Sequence, residues 1–161
     1  MTVALHFLRH AHAGDPLKWH GDDAERPLSG KGRDQADRLA RMLEAIGFET
    51  DAILTSPKLR AQQTAEPVAL RLGTRMVVDD RLAGPVTLAA LERILADAGG
   101  PSKPVIVGHD PDFSELVALL VGASELPMRK GAFARVDLAH GLAPGTGVLR
   151  WLIPPELVPG R

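Results

Sequence analysis

Apolar positions along the chain alternate between two kinds of pattern. Short apolar runs at residues 3–8, 52–55, 75–78, 104–107, 132–138 and 148–153 predict six strands. Between the earlier runs lie stretches with a helical period. Ser29 has the chemistry of an N-cap, and after it Ala36, Leu39, Ala40, Leu43 and Ile46 share one face of a helix that ends at Gly47. Ser56-Pro57 opens a second helix with Pro57 in its first turn, and Pro67 is expected to kink that helix or end its regular part. Leu88, Leu91, Ile94 and Leu95 mark a third helix, stopped by Gly99-Gly100-Pro101. Asp112 is expected to cap a fourth over residues 113–121. A polar loop rich in Asp, Gly and Pro spans residues 11–28, and a tail with Pro154, Pro155 and Pro159 reads as extended. Strands alternating with helices predict an α/β fold, a three-layer α/β/α arrangement around a mostly parallel sheet. No repeat or linker divides it, so residues 1–161 are expected to form a single domain.

Composition narrows the function classes. The formal net charge is −1, without the basic excess of a nucleic-acid binder, so any anion site must come from a local cluster. The chain has no cysteine, which excludes disulfides, thiolate catalysis and sulfur-ligated zinc. No apolar stretch has the length of a membrane helix, and residues 1–8 are too short an apolar run for a signal peptide. The expectation is a soluble, cytoplasmic protein that engages neither membrane nor nucleic acid.

Three strand ends carry polar residues suited to phosphate: Leu8-Arg9-His10-Ala11, then Thr55-Ser56-Pro57 with Arg60 a turn further on, then Val107-Gly108-His109. Ligands of open parallel sheets bind at the carboxyl ends of strands, so Arg9, His10, Arg60 and His109 are expected to converge. The set suits phosphoryl chemistry. Guanidinium groups bind phosphate oxygens in a planar two-donor geometry. A neutral imidazole is a nucleophile near neutral pH, and two arginines beside His10 disfavour its protonation. A second histidine on a phosphate oxygen can be cationic and add a donor. Gly108 is expected to let the backbone approach the ligand.

Arg9-His10-Ala11 resembles the Arg-His-Gly signature of the histidine phosphatase superfamily, whose fold is phosphoglycerate mutase-like. Leu54-Thr55-Ser56-Pro57, with Arg60-Ala61-Gln62-Gln63-Thr64-Ala65, resembles that family's second block, and Val107-Gly108-His109-Asp110-Pro111 its third. Within the superfamily the chain is most similar to the small SixA-type phosphohistidine phosphatases, through Asp23 and Arg26-Pro27-Leu28 and through its short length. The resemblance implies His10 as nucleophile and Arg9, Arg60 and His109 as the phosphate pocket. It sets Asp23 and Arg26 at the rim, where an ordinary loop ion pair would look the same. Two departures matter. Position 11 is alanine, where the commoner signature has glycine. The stretch Arg81-Leu82-Ala83-Gly84 lacks the glutamate that serves many relatives as general acid. An alkoxide leaving group needs a proton, whereas a phosphoramidate has a weaker bond and a better leaving group. The missing glutamate therefore favours phosphohistidine and leaves Asp23 and Asp15 as candidate proton donors.

The expected activity is thus a phosphatase working through a phosphohistidine on His10, with a phosphohistidine-bearing protein as preferred partner and a small phosphorylated metabolite as the alternative. A non-catalytic phosphate-binding module is the rival from another class. No metal or organic cofactor is called for. His6, His10 and His12 would share one face of a continuous strand, but Asp15 is misplaced for a binuclear zinc site, and His6 reads as a core histidine. His12, His20 and His140 read as loop residues. Gln63 and Thr64 read as residues that hold their helix in place. Trp19 either lines the cleft or packs at the surface.

Overall fold

The computed structural model describes residues 2–160. Six strands form one sheet: β1 (Val3–Arg9), β2 (Ala52–Thr55), β3 (Met76–Val78), β4 (Pro104–Gly108), β5 (Phe133–Leu138) and β6 (Val148–Ile153). Their order is β3-β2-β4-β1-β5-β6. The four strands β3, β2, β4 and β1 run parallel, and β5 and β6 add antiparallel at the β1 side. Four helices connect them: α1 (Gly30–Ala45), α2 (Leu59–Leu72), α3 (Leu88–Asp97) and α4 (Asp112–Val121). The fold is the expected α/β fold with a mostly parallel sheet.

Side-chain alternation along the buried strands builds two cores. Leu5 and Phe7 of β1, Leu54 of β2 and Ile106 of β4 point to the face covered by α3 and α4, where they meet Leu91, Ile94, Phe113 and Leu116. Leu8, Ile53, Val105 and Val107 point the other way, toward Leu39 and Leu43 of α1 and Ala61 and Val68 of α2. His6 belongs to this second face. Its ring stacks on Phe133 and meets Phe48 edge-on, and its Nδ1–H donates to the Pro104 carbonyl at 3.0 Å. It is a core histidine, as its sequence context indicates.

Several local expectations need correction. Ile46 lies past the last turn of α1 and is 65% exposed, because the helix has already turned its apolar face away from the sheet. Pro57 precedes α2, which starts after Lys58. Pro67 neither ends nor breaks α2, which runs on to Leu72. Ala65 and Val68 beside it are fully buried against the sheet, and that packing holds the helix across the missing backbone bond. Arg75 stays outside β3. Asp112 does not cap α4. Its carboxylate accepts from the Val86 backbone N–H at 3.1 Å, while Asp110 accepts from the Ser114 N–H at 3.0 Å in the capping role. The tail is not wholly extended, since Pro155–Leu157 makes a turn of 3-10 helix. No helix among the described residues is long and apolar enough to cross a membrane.

Candidate active site

The strand order places the C-terminal ends of β2, β4 and β1 side by side. Backbone bonds continue the sheet one step past its regular end. His10 N–H donates to the Gly108 carbonyl at 2.9 Å, and Ser56 N–H to the Val107 carbonyl at 2.9 Å. The three polar blocks are thereby tied together at one edge of the sheet.

His10 leaves the end of β1 into this cluster and is buried. Its Nδ1 lies 2.7 Å from the Ala11 carbonyl, an acceptor only, so Nδ1 carries the proton and Nε2 keeps its lone pair. Burial, first of all, pushes the His10 imidazole down to about 3, and Arg60, Arg9 and Lys130 add to the effect. The expected neutral imidazole is present, with desolvation ahead of the arginines as its cause.

The ring of His109 sits 5.2 Å from that of His10. It shares a 2.8 Å hydrogen bond between its Nε2 and Ser56 Oγ. It too is pushed down to about 3, by burial first and then by His10, Lys58 and Arg60. Without an anion in place this holds the ring neutral. A Cβ at Gly108, beside it, would stand 2.7 Å from the Phe113 ring, so the glycine makes room for a core phenylalanine.

Arg60, in the first turn of α2, is buried and reaches across to the polar loop. It donates through Nη1 to the Asp23 carbonyl at 2.7 Å and through Nη2 to Asp23 Oδ2 at 2.9 Å. Arg26 donates through Nε to the other oxygen, Asp23 Oδ1, at 3.0 Å, and through Nη1 to the Ala13 carbonyl at 2.8 Å. Asp23 thus braces both arginines. The bond from Arg26, then that from Arg60, holds its carboxyl below the usual carboxylate range. Arg9 is anchored on the opposite side, donating to the Met128 carbonyl at 2.6 Å with Asp110 at 3.5 Å. Asp15 is spent on the Leu17 N–H and lies exposed in the loop.

Three buried polar atoms of this cluster have no partner among the described residues: Nε of Arg9, Nε of Arg60 and Nδ1 of His109. Buried polar atoms without partners are costly, and an anion between these residues would satisfy the two arginine N–H groups, and His109 Nδ1 when it carries a proton.

Comparison with known proteins places the chain in a family. Residues 5–84 match the model of the Histidine phosphatase superfamily (branch 1). The chain is 31% identical to the phosphohistidine phosphatase SixA of Escherichia coli over 158 residues, 95% of this chain and 94% of that protein. This chain belongs to the histidine phosphatase superfamily. An uncharacterised protein of Picosynechococcus sp. is 40% identical over 118 residues, 70% of each chain. Among solved structures, that of the protein histidine phosphatase SixA complexed with tungstate superposes with a TM-score of 0.79 at 28% identity, covering 96% of this chain and 97% of that one.

In this superfamily member several residues of the site do more than their place in the motifs indicated. Ser56, at a strand end in the second block, holds His109. Thr64 accepts from the Ala11 N–H at 3.0 Å and donates to the Arg60 carbonyl at 2.7 Å, joining the histidine loop to α2. Gln63 accepts from the Leu28 N–H at 2.8 Å. Both bind the loop rather than only their own helix. Lys130, from the turn before β5, comes near enough to His10 to act on it, and nothing in the first 111 residues could announce it. His12 shares a 2.6 Å bond with Ser29 Oγ, and its carbonyl accepts from the Ser29 N–H at 3.0 Å. His20 and His140 are exposed, and Trp19 donates to the Asp22 carbonyl at 2.9 Å beside a shallow cavity that Arg26 also lines. Among the described residues no group of three His, Asp or Glu side chains is arranged to hold a metal ion.

Proposed function

We propose that this member of the histidine phosphatase superfamily hydrolyses phosphohistidine on a protein partner, as one domain over residues 1–161, through a covalent intermediate on His10. The observation that carries the proposal is the His10 tautomer. Nδ1–H is committed to the Ala11 carbonyl, which leaves Nε2 as a lone pair inside a cage of cations. Nε2 attacks phosphorus in line and forms a P–N bond, while the P–N bond to the substrate imidazole breaks. That imidazole takes the electron pair and then a proton from water. A second water attacks phosphorus, the bond to Nε2 breaks, and orthophosphate leaves. Arg9, Arg60 and His109 offer their unpartnered N–H groups to the equatorial oxygens, the electrostatic part of the catalysis.

Two further points support phosphohistidine as the substrate. Asp23 is held ionised by two arginines, so it is a brace and not a ready acid. Asp15 is exposed and bound to backbone. With no acid in place, an imidazole leaving group is favoured over an alkoxide. The similarity to SixA over nearly the whole chain points the same way.

The deciding experiment is quenching without acid during turnover of a labelled phosphohistidine substrate, followed by peptide mass analysis. Label is expected on the peptide containing His10 alone, and His10→Ala should abolish turnover. Label on His109, or substantial turnover by His10→Ala, overturns the assignment. Phosphoserine and small phosphorylated metabolites run in parallel should be cleaved far more slowly, and equal rates would return the substrate to the small-molecule alternative. Activity should also survive chelator. Loss on chelation restored by zinc or manganese would mean that the histidines serve a metal.

A further inference from the structure

Arg9 faces two spaces. One is the phosphate cluster with His10, and the other is a cavity of about 360 Å³ on the opposite side of the residue. The second space is walled by Arg9, Lys31, Arg129 and Lys130, with His12 at its edge and Glu156 as its one acidic side chain. Glu156 pairs with Arg129 at 3.4 Å. Lys31 and Lys130 have no ion pair among the described residues. Four cations therefore face one carboxylate. Lys130 stands between the two spaces. Burial, then Arg9, Arg26 and Arg60, pulls its ammonium below the ordinary lysine range. Lys31 sits in the first turn of α1, where the helix dipole adds positive potential. A phosphoryl group on His10 would offset Arg9 and Arg60, and Glu156 pairs with Arg129, which leaves Lys31 and Lys130 in this cavity without a counter-charge.

We propose that this cavity is a second anion subsite, which takes a further anionic group, phosphate or carboxylate, carried by the same substrate molecule next to its scissile phosphoryl group. The inference rests on the reading of the His10 cluster as the phosphoryl site. On this view the substrate is not a lone phosphohistidine. It is either a phosphohistidine flanked by an acidic residue or a small molecule with two anionic ends, and Arg9 contacts both groups.

The test is equilibrium binding at low salt. Methylenediphosphonate, whose P–C–P link resists hydrolysis, is compared with methylphosphonate, which has one anionic group. Wild type should prefer the diphosphonate by about tenfold, what two partly exposed ion pairs supply at low ionic strength. A Lys31→Gln/Arg129→Gln double variant should lose most of that preference and bind methylphosphonate as wild type does. A second arm, run in a His10→Ala background so that the peptide is not consumed, compares phosphohistidine peptides with glutamate or alanine beside the phosphorylated residue. A preference confined to the diphosphonate assigns the subsite to a small molecule, and one confined to the acidic peptide assigns it to a protein. No preference in either arm, or a preference that survives the double substitution, overturns the proposal. Because no turnover is read, failure to trap a phosphoenzyme on His10 would leave this result unaffected and would count only against the catalytic assignment.

Discussion

Asp23 is the residue whose role shifts most between sequence and structure. From sequence it is a candidate proton donor, whereas its carboxylate in fact bridges Arg26 and Arg60 with one oxygen each. A positioning residue and an acid leave different traces. Asp23→Asn keeps the shape but loses the charge and one of the two acceptors, so both arginines should loosen. The expected result is a fall in kcat of about ten- to a hundredfold, below the cost of removing a direct transition-state donor. The pH–rate profile should keep its shape. Disappearance of an alkaline limb in the variant would restore Asp23 as the acid. Ser56→Ala probes the other side of the site. It removes the only hydrogen bond to the His109 ring among the described residues, and a several-fold loss in kcat with intact folding is expected. His10, Arg9, Arg60 and His109 were legible because each sits at or just after a strand end, where chain order and strand order together dictate position. Ser56, Asp110 and Lys130 were not, since their roles depend on which side chains the finished fold brings opposite them.

Helix α2 does more for the site than deliver one arginine. Arg60, Gln63 and Thr64 lie at i, i+3 and i+4, one face of the helix, and they grip the loop over residues 11–28 at Asp23, Leu28 and Ala11 in turn. The loop is long and polar but fastened by that face. Thr64→Val is nearly isosteric and leaves the Ala11 N–H buried without an acceptor. The expected cost is about 1–3 kcal/mol of stability, with a further loss of kcat as the His10 loop slackens. Denaturant melts and kinetics on one preparation would separate the two effects. Helix α1 closes on the same loop from the other side. A Cβ at Gly32 would collide with the His12 carbonyl, so Gly32→Ala should damage activity although alanine is the better helix former. Unchanged activity would show that the loop can give way. Helical periodicity identified these helices without revealing their grip, because polar residues facing a loop look the same in sequence as polar residues facing water. The helix starts misplaced at Pro57 and Asp112 have a similar origin. Either residue can open a helix, and tertiary bonds decide whether it does.

At the scale of the molecule, three histidines are buried neutral: His6 at about 4, and His10 and His109 each at about 3. Each is depressed below its unfolded value near 6.5, so the unfolded chain binds protons more readily than the folded one. Their contribution is intact above pH 6.5 and declines as pH falls from there toward 4, by about 1.4 kcal/mol per pH unit for each proton taken up. The carboxylates held low by arginines, Asp23 and Asp137 among them, lose stability in the same direction at still lower pH. Unfolding free energies measured between pH 6.5 and 4.5 should fall steeply, and His6→Phe should flatten the slope by close to one proton. A slope unaffected by that substitution would mean that His6 titrates normally in the fold. The sheet that buries these rings was largely legible, because parallel strands covered on both faces read as plain apolar runs and the polar blocks mark their ends. The split into two cores follows from alternation alone. The antiparallel addition of β5 and β6 does not, since the sequence records two more strands but not the direction in which they join.

The bond from His10 Nδ1 ends on a main-chain oxygen, that of Ala11. Every residue type brings the same carbonyl to position 11, so this feature of His10 is not exposed to drift in the neighbouring side chain. The methyl group at position 11 lies in a small apolar pocket with Ala13, Leu28 and Ala36, and no residue other than glycine in the described chain has a positive φ. Alanine can therefore replace the family's usual glycine without disturbing the chemistry beside it. A lineage could vary this position under pressure from packing alone, and the proton on His10 would stay where it is.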